Sequence, residues 1–319
     1  MIHGYPPIQN AGAEWMLHEM LKFLRKSGHE IEVVLPISNL DPYDFEGIRV
    51  NKDEFMTTTK KIQAADVVIS HLDRAGKALN YCEFYHKPFV QVMHNSNSYD
   101  ILRAKHRDIS QGRWVYMIFN SLYTQNALRY PNPSVVVHPP VDPQRYKVKT
   151  KGKKLTLINL FERKGGVFFH DLAKLMPEYE FLGVEGGYGR QEKNGNMKNV
   201  EYMDNTPYAR KIYSKTRVLL MPSQYESYGR TGIEAMVSGI PVVAAPTPGL
   251  MESLGDAGIF CNVDSMLSWV EAIKRLDDPK EYKTASEKSI ARAKEVEKTT
   301  PDELDKMERF LIDISQKRI

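Results

Sequence analysis

Short runs of β-branched and other apolar residues alternate with amphipathic stretches almost from one end of the chain to the other. A strand buried on both faces reads as an unbroken apolar run, while its covering helix is apolar along one stripe. The alternation therefore predicts parallel sheets joined by crossover helices. In the first half, strands are expected at 30–36 (EIEVVLP), 65–70 (ADVVIS), 88–94 (PFVQVMH), 115–120 (VYMIFN) and 134–138 (SVVVH). The clearest helix precedes them. Ala13, Met16, Leu17, Met20, Leu21 and Leu24 recur on one face, and Ser27 with Gly28 closes it.

After Val137, HPPVDPQRYKVKTKGKK brings prolines and a basic polar stretch that should continue neither strand nor helix, so an interdomain linker is expected there. A second alternating set follows at 155–161, 179–184, 217–223, 240–245 and 258–263. From Met266 onward the pattern is helical, with a solvated face at EKSIARAKEVEK and a last apolar stripe through Leu304, Met307, Leu311 and Ile314. The expected division is 1–145, 146–300 and a terminal helix at 301–319 able to pack back on the first domain. The fold class is α/β, with two doubly wound Rossmann-like domains and a cleft at the carboxyl ends of their strands, where open sheets place ligands.

Composition narrows the partners. Basic residues number 44 and acidic residues 40, split 16 and 15 over 1–145 and 28 and 25 over the rest. Neither part carries the positive field that a phosphate backbone requires, so nucleic acid is not an expected partner. Cys82 and Cys261 fit no metal or redox spacing, the opening MIHGYPPIQN is not leader-like, and no apolar run approaches the ~20 residues that span a bilayer. A cytoplasmic location is expected. Neither an H-x-H nor a clustered carboxylate pattern accompanies the candidate loops, so no metal site is expected.

The chemistry should lie in strand-to-helix loops. RVLLMPS reads as a central strand, QYESYG as the loop at its end and RTGIEAMVSG as a helix closed by Gly239. Glu226 then projects from the loop, and Glu234 sits in the early turns of the helix. Glutamates eight apart also occur at 46/54, 287/295 and 295/303, but only Glu226 and Glu234 follow a buried strand and bracket a glycine turn. Gly229 lets backbone amides approach a ligand, and a helix amino terminus favours negative charge, which suits a phosphate. An electrostatic cap at Glu226 and a surface Glu234 would fit the same residues.

In NLFERKGG, Arg163 and Lys164 precede two glycines and place positive charge at the same sheet edge, suited to a pyrophosphate; a solvated turn would read alike. His94 ends a buried strand, as either a ligand contact or a structural histidine, and NAGAEWM, with Gly12, opens the first helix. GVEGGYGR at 183–190 lacks G-x-G-x-x-G spacing and reads as a flexible loop beside the cleft.

Together these pieces resemble the family 4 glycosyltransferases, of GT-B fold. PSQYESYGRTGIEAMVSGIPVVAAPTPGLMESLGDAGIF resembles the family's donor-site block. NAGAEWM resembles its first loop, MHNSNS its histidine loop, HPPVDPQRY its linker and ERKGG its phosphate-lysine loop. The resemblance implies retaining, metal-independent transfer from a nucleotide diphosphate sugar, with UDP or GDP as the expected nucleotide and no further cofactor. The second domain would bind the donor. The first would bind the acceptor, a carbohydrate, lipid-linked sugar or other hydroxyl compound.

Carried over by residue, Glu226, Lys164 and His94 would be catalytic. Glu226 and His94 would face the sugar, while Lys164 and Arg163 would neutralise the diphosphate. Glu234 would hold the ribose, and Gly12, Ser227, Tyr228, Gly229, Arg230 and Thr231 would complete the donor set. Arg103, Lys105, Arg107 and Arg113 leave open an anionic acceptor or a peripheral membrane contact, against an ordinary solvated surface. Three features depart from the family. Asn159 stands where an arginine is usual, Ala11-Gly12 replaces a glycine pair, and the start at MIH leaves a stub of the first strand, so that either the core is economical or the native start lies upstream. A sugar-nucleotide 2-epimerase and a non-catalytic nucleotide-sugar binder are the alternatives.

Overall fold

The structure is a computed structural model that describes residues 1–2, 4–36, 41–95 and 115–318. It divides into two compact units: Met1–Gln9 with Ala13–Pro140 and Thr300–Ile319, and Asn10–Gly12 with Val141–Thr299.

In the first unit, α1 (Gly12–Lys26) precedes β1 (Glu32–Leu35), β2 (Tyr43–Phe45) and β3 (Ile48–Lys52), which form a sheet of order β1-β3-β2. The β2–β3 hairpin, absent from the sequence expectation, turns at Glu46 and Gly47, both at positive φ. Such a turn matches the twist of paired strands. After α2 (Phe55–Ala64) come β4 (Val68–His71), α3 (Ala75–Tyr85), β5 (Phe89–Met93), β6 (Val115–Phe119), α4 (Leu122–Leu128) and β7 (Ser134–Val136). Strands β4 to β7 lie side by side in chain order, all parallel. Every residue of β5 and β6 is buried, as their unbroken apolar runs require.

The helix stripe of Met16, Leu17, Met20, Leu21 and Leu24 packs with Val33, Val50, Val90 and Ile118 in one core. Leu304, Met307, Leu311 and Ile314 of the terminal helix join the same core.

The second unit holds β8 (Lys154–Ile158), α5 (Gly166–Leu175), β9 (Phe181–Val184), β10 (Val200–Met203), β11 (Thr216–Met221), α6 (Arg230–Met236), β12 (Val242–Ala244), α7 (Pro248–Leu254), β13 (Gly258–Phe260), α8 (Met266–Arg275) and the start of α9 (Pro279–Ser315). Its sheet is wholly parallel, in the order β10-β9-β8-β11-β12-β13. Both faces are covered: Leu219, Met221, Val242 and Ala244 belong to one core, and Val218, Leu220, Val243 and Ala245 to the other.

Strand order reverses between β8 and β11, so the loops that follow these two neighbours leave the sheet side by side. This is the switch point at which doubly wound sheets bind ligands.

The expected linker is not wholly irregular. Pro143–Tyr146 forms a helical turn, capped by the Asp142 carboxylate accepting from the Gln144 amide, with Pro143 at its first position, where a missing N–H is no loss. Val141 and Tyr146 are part of the second unit's core. No helix among the described residues is long and apolar enough to cross a membrane.

Candidate functional site

The loop after β8 passes through a 3-10 turn at Glu162–Lys164 and reaches α5 through two glycines. Gly165 has φ +94, and a Cβ there would lie 2.4 Å from the Pro222 ring; a Cβ on Gly166 would lie 2.0 Å from the Leu160 carbonyl oxygen. Only glycine permits this approach. It brings the loop against the one that follows β11, where the Gln224 amide donates to the Arg163 carbonyl at 3.0 Å.

Across that seam Lys164 Nζ lies 2.6 Å from Glu226 Oε1, which also accepts from the Ser223 hydroxyl at 3.0 Å. Their side chains are only 20% and 12% exposed. Burial alone would lower the lysine pKa, but the Glu226 carboxylate and the Tyr188 hydroxyl outweigh it and hold the group above 10.5. Lys164 is therefore a cation at neutral pH, and Arg163 beside it is exposed. Sequence placed Lys164 and Glu226 at one sheet edge; the structure joins them directly.

Asn159 follows β8 at φ +75, in the left-handed region that asparagine tolerates, and its side-chain oxygen accepts from the Phe161 amide at 3.1 Å. Gln191 ties this corner to the 185–191 loop. Its oxygen accepts from the amides of Leu160 (2.9 Å) and Gly186 (2.8 Å), and its nitrogen donates to Asn159 Oδ1 (3.1 Å) and to the Tyr188 carbonyl (2.8 Å). The loop read as flexible from its glycines is thus held by the half-buried side-chain amide of Gln191, a long-range partnership with the β8 corner that spacing does not announce.

Gly229, at φ +84, opens α6, and a Cβ on it would meet Leu250 at 2.3 Å. Tyr228 places its ring in the core. The backbone of Glu226 and Ser227 runs so close to Gly249 that a Cβ there would lie 2.3 Å from the Glu226 carbonyl. Glu234, for which a surface position was one reading, is 9% exposed. Its Oε1 accepts from Arg230 Nη1 at 2.5 Å and its Oε2 from the Tyr213 hydroxyl at 2.8 Å, while the Tyr213 hydroxyl also lies 3.5 Å from the Thr231 carbonyl. Tyr146 and Tyr213, neither singled out by sequence, pack edge to face at 6.3 Å. Gly12, the first residue of α1, clusters with this second unit, and a Cβ there would meet nothing within 4 Å.

In the first unit, His94 follows β5 and His71 ends the neighbouring β4, with Nε2 and Nδ1 3.1 Å apart. Burial lowers the His94 pKa to about 4, so the ring is neutral near pH 7. Glu14, in the first turn of α1, is 4% exposed, and burial together with Asp73 raises its carboxyl to about 7. Arg103, Lys105, Arg107 and Arg113 lie outside the described residues. Among the described residues, no three His, Cys, Asp or Glu side chains gather as a metal site.

Residues 168–278 match the family described as glycosyl transferases group 1. A D-inositol 3-phosphate glycosyltransferase of Corynebacterium aurimucosum is 38% identical over 73 residues, covering 22% of this chain and 17% of that protein. The O-antigen chain mannosyltransferase RfbU of Salmonella typhimurium is 38% identical over 66 residues, covering 21% and 19%. The matches thus span about a fifth of these relatives' own length.

Fold similarity extends much further. The structure of HepE of Anabaena with UDP and glucose superposes with a TM-score of 0.72 at 16% identity, covering 95% of this chain and 99% of that one. WaaG, a glycosyltransferase involved in lipopolysaccharide biosynthesis, gives 0.67 at 15% identity, covering 98% and 99%. The fold is GT-B.

Proposed function

We propose that this chain, which over residues 168–278 matches the glycosyl transferases group 1, moves a sugar from a nucleoside diphosphate sugar to a hydroxyl group of an acceptor. The observation that carries the reading is the pairing of Lys164 with Glu226 where the strand order reverses. During transfer, negative charge grows on the departing diphosphate while the sugar becomes cation-like. A site for this needs a fixed cation toward the phosphates and an anion toward the sugar.

Lys164 supplies the cation. With a donor in place it exchanges Glu226 for phosphate oxygens, and the exposed Arg163 adds a second positive group. Amides at Gly229, Arg230 and Thr231, with the backbone of Ser227 and Tyr228, face phosphate or sugar, and Glu234 takes the ribose hydroxyls. Gly12 leaves room for close approach. For His94, a neutral ring favours a hydrogen bond over a charge in the role that the resemblance implies.

The departing phosphate can itself take the acceptor's proton, so no protein nucleophile is required. Retention of configuration, metal independence and the absence of a cofactor beyond the donor belong to the same proposal. HepE was crystallised with UDP-glucose, which supports UDP-sugars as first candidates. The sequence relatives, named for D-inositol 3-phosphate and O-antigen chains, support a polyol or saccharide acceptor.

The test is a panel of UDP-, GDP-, ADP- and TDP-sugars. One class should raise the melting temperature, since saturation at a hundred times Kd stabilises by about 2.7 kcal/mol. With that donor, slow hydrolysis or transfer should release the nucleoside diphosphate, retain the anomeric configuration by NMR and persist in chelator. Glu226→Ala should lose turnover far more than donor affinity, and Lys164→Ala should lose both, because the lysine meets charge already present in the ground state. Failure of all four classes to bind overturns the proposal. An epimerised donor would identify a 2-epimerase, and tight binding without turnover a binding protein.

A further inference from the structure

The charged cluster around Glu234 does more than a stability argument explains. Arg230 is 6% exposed, lies over the Tyr146 ring at 5.3 Å and hydrogen-bonds the Tyr146 hydroxyl, while its guanidinium meets Glu234. Tyr146 comes from the turn at 143–146, Tyr213 from the segment before β11, and Arg230 and Glu234 from α6. Three stretches of chain converge on the Arg230–Glu234 pair.

As packing alone this is an expensive arrangement. A cation in the first turn of a helix opposes the helix dipole, and Arg followed by Glu four residues later is the weaker order of such a pair. Apolar residues of similar volume often stabilise a buried position as well as an ion pair does.

The geometry of the carboxylate suggests what the cluster is for. An ionised carboxylate offers about four acceptor positions on its two oxygens. Arg230 occupies one on Oε1 and Tyr213 one on Oε2, which leaves a position on each oxygen, and 12% of the side chain remains exposed. Two adjacent acceptors on a carboxylate held in one orientation match the two donors of a vicinal diol.

We propose that Arg230 and Tyr213 are positioning residues that preset Glu234 to accept from both ribose hydroxyls, and that they make the site selective for ribonucleoside over 2′-deoxyribonucleoside diphosphates. This rests on the donor-site reading above and adds side-chain roles for Arg230 and Tyr213. Calorimetric titration with UDP, GDP and their 2′-deoxy counterparts tests it. Wild-type protein should prefer the ribonucleotide by about tenfold or more, the scale of one hydrogen bond to a charged group. Arg230→Met should bind both forms alike, near the wild-type affinity for the deoxy form. Arg230→Lys should recover part of the preference, and Tyr213→Phe should lose part of it.

Tyr213→Phe keeps the packed ring, so it carries the test alone should Arg230→Met fail to fold. A wild-type preference retained in both variants, or no preference in wild type, overturns this inference and leaves the donor reading standing. Should folded wild-type protein bind none of these four, ADP and 2′-deoxy-ADP take their place, and failure of that pair and of TDP as well overturns both.

Discussion

Asn159 is one of the positions at which this chain parts from the resemblance, and its backbone supplies the reason. At φ +75, with its side chain bonded to the Phe161 amide and to Gln191, the position suits a short polar residue. Gly186 is so near that a Cβ on it would lie 2.2 Å from Asn159 Cγ. A long guanidinium would lose the local hydrogen bonds and crowd that glycine. Asn159→Arg is therefore expected to destabilise the protein by about 1–3 kcal/mol without tightening nucleotide binding. Thermal unfolding and a UDP titration of the variant check this, and a stable variant with tighter binding would contradict it. Sequence located the substitution but could not supply its meaning, because a backbone angle is set by the neighbouring loops. The Lys164 and Glu226 loops were readable because strand ends, glycines and charge are local features. The surroundings of the Arg230–Glu234 pair were not, since Tyr146 and Tyr213 are remote from it in sequence.

Among the elements, legibility followed burial. Strands such as β5, β6 and β11 are apolar at nearly every position and stood out. The β2–β3 hairpin and β10 did not, because a half-buried edge keeps polar residues on its pattern, as in YDF and VEYM. The 185–191 loop shows the same limit from the other side: glycine content suggested freedom, while Gln191 supplies the bonds that remove it. Gln191→Ala should raise amide exchange at Gly186 by about tenfold, the equivalent of one lost hydrogen bond, while leaving the global melt nearly unchanged. Hydrogen exchange read by mass spectrometry over 185–191 decides this; unchanged protection would mean that other contacts hold the loop.

For the whole molecule, the terminal segment matters most to the first unit. Leu304, Met307, Leu311 and Ile314 complete its core, and the His138 amide and ring both meet the Glu303 carboxylate at 2.8 Å, while His29 meets Glu308 at 2.8 Å. Met307 is fully buried, so Met307→Ala should cost about 2–5 kcal/mol in chemical denaturation. A loss below about 0.5 kcal/mol would mean that the segment is not part of the folded core.

Hydrophobic periodicity by itself determined the α/β class, the buried strands and the apolar stripe of the last helix, because burial of a face is a property of short windows. Glycine and charge at strand ends marked the loops of interest for the same reason. Tertiary structure alone decided the strand order that sets β8 beside β11, the contact of Lys164 with Glu226, and the cage around Glu234. Those depend on which distant segments become neighbours, and pairing between strands and side chains far apart in sequence leaves no local trace in the chain.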